Sequence, residues 1–288
     1  MTDGKLDKTG DFEGKIKLVA TDLDGTLLSR EMELSEENRR ALVRCIDRGI
    51  HVIVATGRSR SSVPQAVRYV DGIEYLICAN GAKIYDNRTN EQLYARYLSR
   101  EAMESVWEII AAGDIMCEVF YDGTPYISAA CYNDLARYGV PEWFADYVRK
   151  SRVPVDDLPA FTSEHMDVIE NVNFNYGSDG VSTYLRGRLG DSALYELTTS
   201  LPFNYEIGGL GVNKAEALDF LCDRLHIAPA ETMCIGDNAN DVGMLRYAGI
   251  GVAMGDAVPA AQEAADFVTL DSAQNGVAHA IDRFVRNG

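Results

Sequence analysis

Apolar positions follow two different rhythms along this chain. The runs IKLVAT (16–21), IHVIVA (50–55) and YLICANGA (75–82) are nearly continuous and rich in β-branched residues, which predicts strands buried on both faces. Between them, 35–48 opens on Ser35, a good N-cap, and gathers Leu42, Val43 and Ile46 on one face, predicting a helix that ends at Gly49. A second helix is predicted over 59–70, with Pro64 tolerated near its first turn. Strands alternating with helices of this length indicate βαβ units and a parallel sheet covered on both faces.

From about residue 86 the rhythm changes. EQLYARYL (91–98) predicts a strand, and 99–113 an amphipathic helix opening on Ser99. In MCEVFYDGTPYISA (116–129), Asp122 and Gly123 separate two alternating runs, a strong hairpin signal. An aromatic-rich helical region (132–150), a strand over VIENVNFNY, a helix over 181–189 and the strands ALYEL and FNYEI follow. Such a mixture belongs to an α+β layer with a partly antiparallel sheet. At residue 208 the first rhythm returns, with a helix over 214–225, the strand TMCIG, a helix over 240–247, the strand GIGVAM, a helix from about 258 and the run DFVTL. The expected fold is therefore α/β: a doubly wound parallel sheet built from 1–85 and 208–288, with an α+β domain inserted over 86–207. Residues 1–14 are polar and are expected to form a flexible leader.

Composition narrows the function. Across 288 residues, 47% hydrophobic and 25% charged content is that of a globular protein, and no apolar run is long enough for a membrane span. The first residues hold no apolar segment of the secretory kind, and the six cysteines are scattered with no CxxC pair, so buried free thiols and a cytoplasmic location are expected. A formal net charge of −17 argues against a nucleic-acid partner. An anionic ligand would need a local cationic site, which screening over about 8–10 Å permits.

In open parallel sheets ligands sit beyond the carboxyl ends of the strands, so the strand ends matter most. The first ends in Asp22-Leu23-Asp24-Gly25-Thr26, the second in Thr56-Gly57-Arg58 and the third in Asn80-Gly81. The strand after the insert runs into GDNAND, which carries Asp237, Asn240 and Asp241, and Lys214 opens the helix before it. Four aspartates at one crevice cannot all ionise unless a cation binds among them. Hard oxygen ligands suit Mg²⁺, which keeps waters and substrate phosphate as its other ligands. Gly25 allows close backbone approach, Thr26 can bond the tight turn, and Thr56 offers a hydroxyl and an N–H at a helix entrance. Lys214 adds a positive charge. Together they make a phosphate cradle with a metal, a carboxylate nucleophile and a second carboxylate for proton transfer.

Taken singly, each piece has a plainer explanation: DxDGT as a turn, TGR as a strand-to-helix corner, Lys214 as a solvated helix residue. Leu27 occupies the position where an EF-hand loop requires glycine, GIGVAMG has the wrong spacing for a dinucleotide fingerprint, and GGLGVNK lacks the end of a P-loop. The four histidines are isolated and are expected to have structural or surface roles. The order Asp-x-Asp, Thr, Lys, Asp, each at a strand or helix end, is what the plainer explanations leave unexplained.

That order resembles the four motifs of the haloacid dehalogenase superfamily, and ICANGAKIYD, GVNKAEAL and GVAMGDA resemble its Cof-type members. The resemblance implies a C2-type cap inserted after NGA. It implies Asp22 as the nucleophile that forms an aspartyl-phosphate, and Asp24 as the acid and base. Mg²⁺ would be held by Asp22, the Asp24 carbonyl and Asp237, with Asp241 in support. Thr56, Gly57, Lys214 and Asn240 would hold the phosphate, and Arg58 and Asn80 are further candidate substrate contacts. The implied activity is hydrolysis of small phosphorylated metabolites, with sugar phosphates the usual substrates and flavin or pyridoxal phosphates as alternatives. A phosphomutase of the same superfamily would share every motif. A receiver-type signalling domain would lack both the Asp-x-Asp spacing and the insert.

Overall fold

The computed structural model of the protein describes residues 16–29, 32–190 and 192–285; the leader expected over 1–14 lies outside the described residues. Its first sheet takes β1 (Leu18–Thr21), β2 (His51–Ala55), β3 (Ile73–Cys78), β4 (Lys83–Asp86) and β5 (Gln92–Ala95) from the N-terminal part of the chain. A second sheet takes β6 (Met116–Tyr121), β7 (Thr124–Ser128), β8 (Val153–Val155), β9 (Ile169–Asn175), β10 (Tyr195–Thr198) and β11 (Asn204–Gly209). The chain then returns to the first sheet with β12 (Thr232–Gly236), β13 (Ile250–Ala253) and β14 (Phe267–Val268).

In the first sheet the order is β14-β13-β12-β1-β2-β3-β4-β5, parallel from β14 to β3 and antiparallel through β4 and β5. From β1 the chain winds outward through β2 and β3, and from β12 it winds the other way through β13 and β14. Right-handed crossovers in opposite directions put the connecting helices on opposite faces. Glu36–Asp47 packs on Gly276–Phe284, whereas Lys214–Leu225 packs on Val242–Tyr247. The winding reverses between β1 and β12, so that crevice is the switch point where an open α/β sheet binds its ligand.

Several local expectations hold for identifiable reasons. Ser35 and Ser99 cap their helices by accepting from the N–H groups of Asn38 and Ala102. Asp122 and Gly123 both take positive φ (46° and 69°), as the twist-matched turn between β6 and β7 requires. The helix expected over 59–70 is corrected to a 3-10 turn, Arg60–Ser62, and one α-turn, Gln65–Arg68, because Pro64 sits outside the helix as its N-cap. The strand within 91–98, expected in the insert, pairs with β4 and so extends the first sheet to Ala95. β11 runs to Gly209 in the second sheet, so the expected boundaries at 86 and 208 both fall inside paired segments.

The second sheet has the order β10-β11-β9-β6-β7-β8 and is antiparallel except between β7 and β8. One of its faces is apolar: Val119, Val172, Phe174 and Ile207 pack with Met103, Val106 and Leu185 from the helices Arg100–Ala112 and Asp179–Leu189. The other face is polar and covers the strand ends of the first sheet, as a cap. Among the described residues no helix is long and apolar enough to cross a membrane.

Candidate active site

Asp22 is the first residue after β1, and its N–H continues the ladder by donating to Ile235 O of β12 at 2.8 Å. Asp237 is the first residue after β12, so two neighbouring parallel strands deliver two carboxylates to one end of the sheet. Asp241 follows within the 3-10 turn Ala239–Asp241. One carboxylate oxygen from each of Asp22, Asp237 and Asp241 lies within 4.8 Å of the others.

Lys214 ties this cluster together. It opens the helix Lys214–Leu225, is fully buried, and donates to Asp22 Oδ1 and Asp241 Oδ1, both at 2.6 Å. The other oxygen of Asp241 accepts from the N–H groups of Asp237 and Asn238, each at 2.9 Å. Both oxygens of Asp241 are thus engaged in orienting its neighbours. Asp22 and Asp237 each keep an oxygen free: Asp237 Oδ1 accepts from Thr26 Oγ1 at 2.9 Å. Thr26 was expected to bond its own turn, and it fixes Asp237 instead. Gly25, at φ 78°, lies so close that a Cβ there would sit 2.7 Å from Asp237 Oδ2.

The charges of the site follow from this packing. Burial works against the Lys214 ammonium, yet Asp22 and Asp241 outweigh it and hold its pKa above the ordinary lysine range. Burial raises Asp22 well above the carboxylate range against the pull of Lys214, helped by Asp241, Asp237 and Asp24. Asp237 is pushed up to about 7, first by burial and then by the charge of Asp241. A site that penalises two neighbouring carboxylates in this way is one that a divalent cation relieves. The donors are hard oxygens in a glycine-lined cradle, which fits Mg²⁺.

Removing the lysine leaves two buried carboxylates facing one another. Lys214→Ala is expected to destabilise the protein by about 3–5 kcal/mol, the usual cost of breaking a buried ion pair. A denaturant titration checks this, and an unchanged midpoint would contradict the packing described here.

The remaining expected residues are distributed less uniformly. Arg58 clamps Asp24, donating from Nε to Oδ2 at 2.8 Å and from Nη2 to Oδ1 at 2.5 Å. Arg58, a candidate substrate contact, lines the cleft with its fork occupied by Asp24. The N–H of Thr56, expected to face an anion, donates to Ile77 O at 2.8 Å because the residue still belongs to the β2–β3 ladder. Its hydroxyl accepts from Arg58 N at 3.1 Å. Gly57 lines the cleft, with its Cα face against Asn80. Asn80, at φ 54°, does not line the cleft; it bridges, accepting from Asn240 Nδ2 at 3.0 Å and donating from Nδ2 to Glu206. Asn240 lines the cleft, and its Oδ1 is buried without a partner in the protein.

Over these strand ends the cap closes a cleft of about 680 Å³, open mouth included. Its cap wall holds Glu118, Phe144, Tyr147, Arg152, Asn173 and Glu206. Arg152 forks onto Glu118 at 2.6 and 3.0 Å, and the Tyr147 ring lies between Arg152 and Arg58, 4.6 and 4.5 Å from their guanidinium carbons. None of these cap residues was singled out in the sequence. The available signal was the alternation of asparagines in NVNFN, which by itself reads as the solvated face of a strand. His51 pairs with Glu74, His165 packs against the rings of Tyr121 and Phe161, His226 caps a helix at the surface and the exposed His279 bonds Thr269.

A family model described as haloacid dehalogenase-like hydrolase matches residues 19–281. The 5-amino-6-(5-phospho-D-ribitylamino)uracil phosphatase YcsE of Bacillus subtilis (strain 168) is 30% identical, over 94% of this chain and 96% of that one. Phosphatase YwpJ of the same organism is 30% identical, over 92% of this chain and 98% of that protein. A solved haloacid dehalogenase-like hydrolase from B. subtilis superposes with a TM-score of 0.80 at 27% identity, covering 92% of this chain and 99% of its own. The family model runs through both sheets, and the chain belongs to the haloacid dehalogenase-like hydrolase family.

Proposed function

We propose that this phosphoric monoester hydrolase acts on small phosphorylated metabolites, sugar phosphates first among them, through an aspartyl-phosphate on Asp22 and with Mg²⁺. The observation that carries the reading is the junction of Asp22, Lys214, Asp241 and Asp237 at the switch point of the sheet. Bound there by Asp22, Asp237 and the Asp24 carbonyl, Mg²⁺ would neutralise phosphate charge and position it. Asp241 orients Lys214 and the backbone of residues 237–238 rather than offering an oxygen of its own.

The Asp22 carboxylate attacks phosphorus, and the phosphorus–oxygen bond of the ester breaks as the new one forms. Lys214 aims Asp22 and favours its anionic form against burial, and Asn240 would donate to a phosphate oxygen by releasing its Nδ2 from Asn80, since its unpaired Oδ1 is an acceptor. Asp24 gives a proton to the leaving oxygen and takes one from the water that cleaves the aspartyl-phosphate. Since Arg58 holds both of its oxygens, one of those bonds opens for each transfer. The cap excludes bulk water and surrounds the leaving group.

Hydrolysis of an aryl phosphate with Mg²⁺, abolished by EDTA and restored by added Mg²⁺, is the expected result; activity that survives chelation overturns the metal assignment. The Asp237 pKa adds a signed expectation. Because the cation displaces a proton from this carboxyl, Mg²⁺ affinity falls by up to about tenfold per unit as pH drops below the region of 7. In EDTA the raised folded-state pKa contributes stability below the ordinary carboxylate range that is lost as pH rises through about 7. The Mg²⁺-induced gain in Tm should therefore widen with rising pH, and a gain that is flat across that window contradicts the assignment.

A further inference from the structure

We infer that the cap wall of the cleft selects a neutral, polyhydroxyl leaving group, with Asn173 and Asn175 as the specificity-determining residues. This rests on the phosphatase reading above and adds to it the chemistry of the group that departs.

β9 places Asn173 and Asn175 on the same face of the second sheet, opposite the apolar face formed by Val172 and Phe174. Both line the cleft, and their exposures are only 6% and 5%. Asn173 Oδ1 and Asn175 Nδ2 nevertheless have no hydrogen-bond partner in the protein. A buried amide left unpaired is costly, so two of them facing one cleft mark groups that a ligand satisfies. One is an acceptor and the other a donor, set roughly 7 Å apart along the strand. Hydroxyls serve both, and a five- or six-carbon polyol spans that distance. An aliphatic or plain aromatic group leaves both amides unsatisfied.

Charge selection comes from the neighbours. In register, Asn173 stands between Glu118 of β6 and Glu206 of β11. Both glutamates are buried. Glu118 is matched by Arg152, whereas Glu206 is held by the neutral donors Asn80, Ser200 and Asn204. The two arginines of the cleft are already forked onto Asp24 and Glu118. A leaving group bearing a carboxylate or a second phosphate would face the buried Glu206 carboxyl with both arginines of the cleft already paired. A neutral one escapes that repulsion.

The test compares kcat/KM for glucose 6-phosphate and sorbitol 6-phosphate with 6-phosphogluconate and fructose 1,6-bisphosphate, using acetyl phosphate as the reference without hydroxyls. The wild-type protein should favour the neutral sugar phosphates over 6-phosphogluconate by at least about tenfold. Asn173→Ala and Asn175→Ala should each lower the ratio of neutral sugar phosphate to acetyl phosphate by about 3–10-fold, with Asn173→Ser recovering part of it. Equal use of the neutral and acidic sugars by the wild type, or unchanged ratios in folded variants, overturns the inference. No hydrolysis of acetyl phosphate by the wild type would instead overturn the phosphatase reading. In that event calorimetric titration with glucose 6-phosphate and 6-phosphogluconate decides the cap wall: tighter binding of the neutral sugar upholds it, and equal or reversed affinity removes it.

Discussion

Asp22→Asn is expected to lower turnover by at least about 10⁴-fold, the scale of losing a covalent nucleophile. The amide has almost the shape of the carboxylate, so the turn after β1 and its ladder bond to Ile235 should survive. What is lost is the charged partner of Lys214 and, on the proposed mechanism, the charge that attacks phosphorus and one metal ligand. Steady-state assays with protein shown to be folded by circular dichroism check this, and residual activity within tenfold of wild type would remove Asp22 from the chemistry.

Asp24→Asn should lower turnover by about 10²–10⁴-fold, the usual worth of general acid–base catalysis, with Mg²⁺ affinity nearly unchanged. The separation of the two effects follows from geometry. Both oxygens of the Asp24 side chain are held by Arg58, and that side chain does not belong to the cluster of Asp22, Asp237 and Asp241, so it is proposed to reach the metal through its backbone carbonyl alone. Calorimetric titration of the variant with Mg²⁺ decides the point, because lost binding would put the Asp24 carboxylate among the ligands.

What was legible in the sequence was the placement of carboxylates at strand ends. Asp22 and Asp237 each follow a continuous apolar run by one residue, and that run alone indicates which end of a parallel strand they occupy. The sheet membership of Gln92–Ala95 was not legible, because a short strand carries no mark of the edge it will join. The break at Pro64 shows a local rule prevailing over helical periodicity: two short turns meet there with the proline outside both.

Contacts between distant segments were out of reach for a different reason. Lys214 meets Asp22 across 192 positions and Arg58 meets Asp24 across 34, distances that only the order of strands in the sheet converts into neighbours. The cap wall is the clearest case. Polar residues alternating along β9 would ordinarily face solvent, and they become the buried wall of a cleft only because a second sheet end lies opposite.

The central claim is that Asp22 itself carries the phosphoryl group, and the most direct measurement is acid-quenched peptide mass spectrometry during the first turnover. A phosphoryl adduct is expected on the peptide containing Asp22, formed at least as fast as steady-state turnover and absent from Asp22→Asn. An adduct on another residue, or hydrolysis with no adduct at any time in the first turnover, would contradict it.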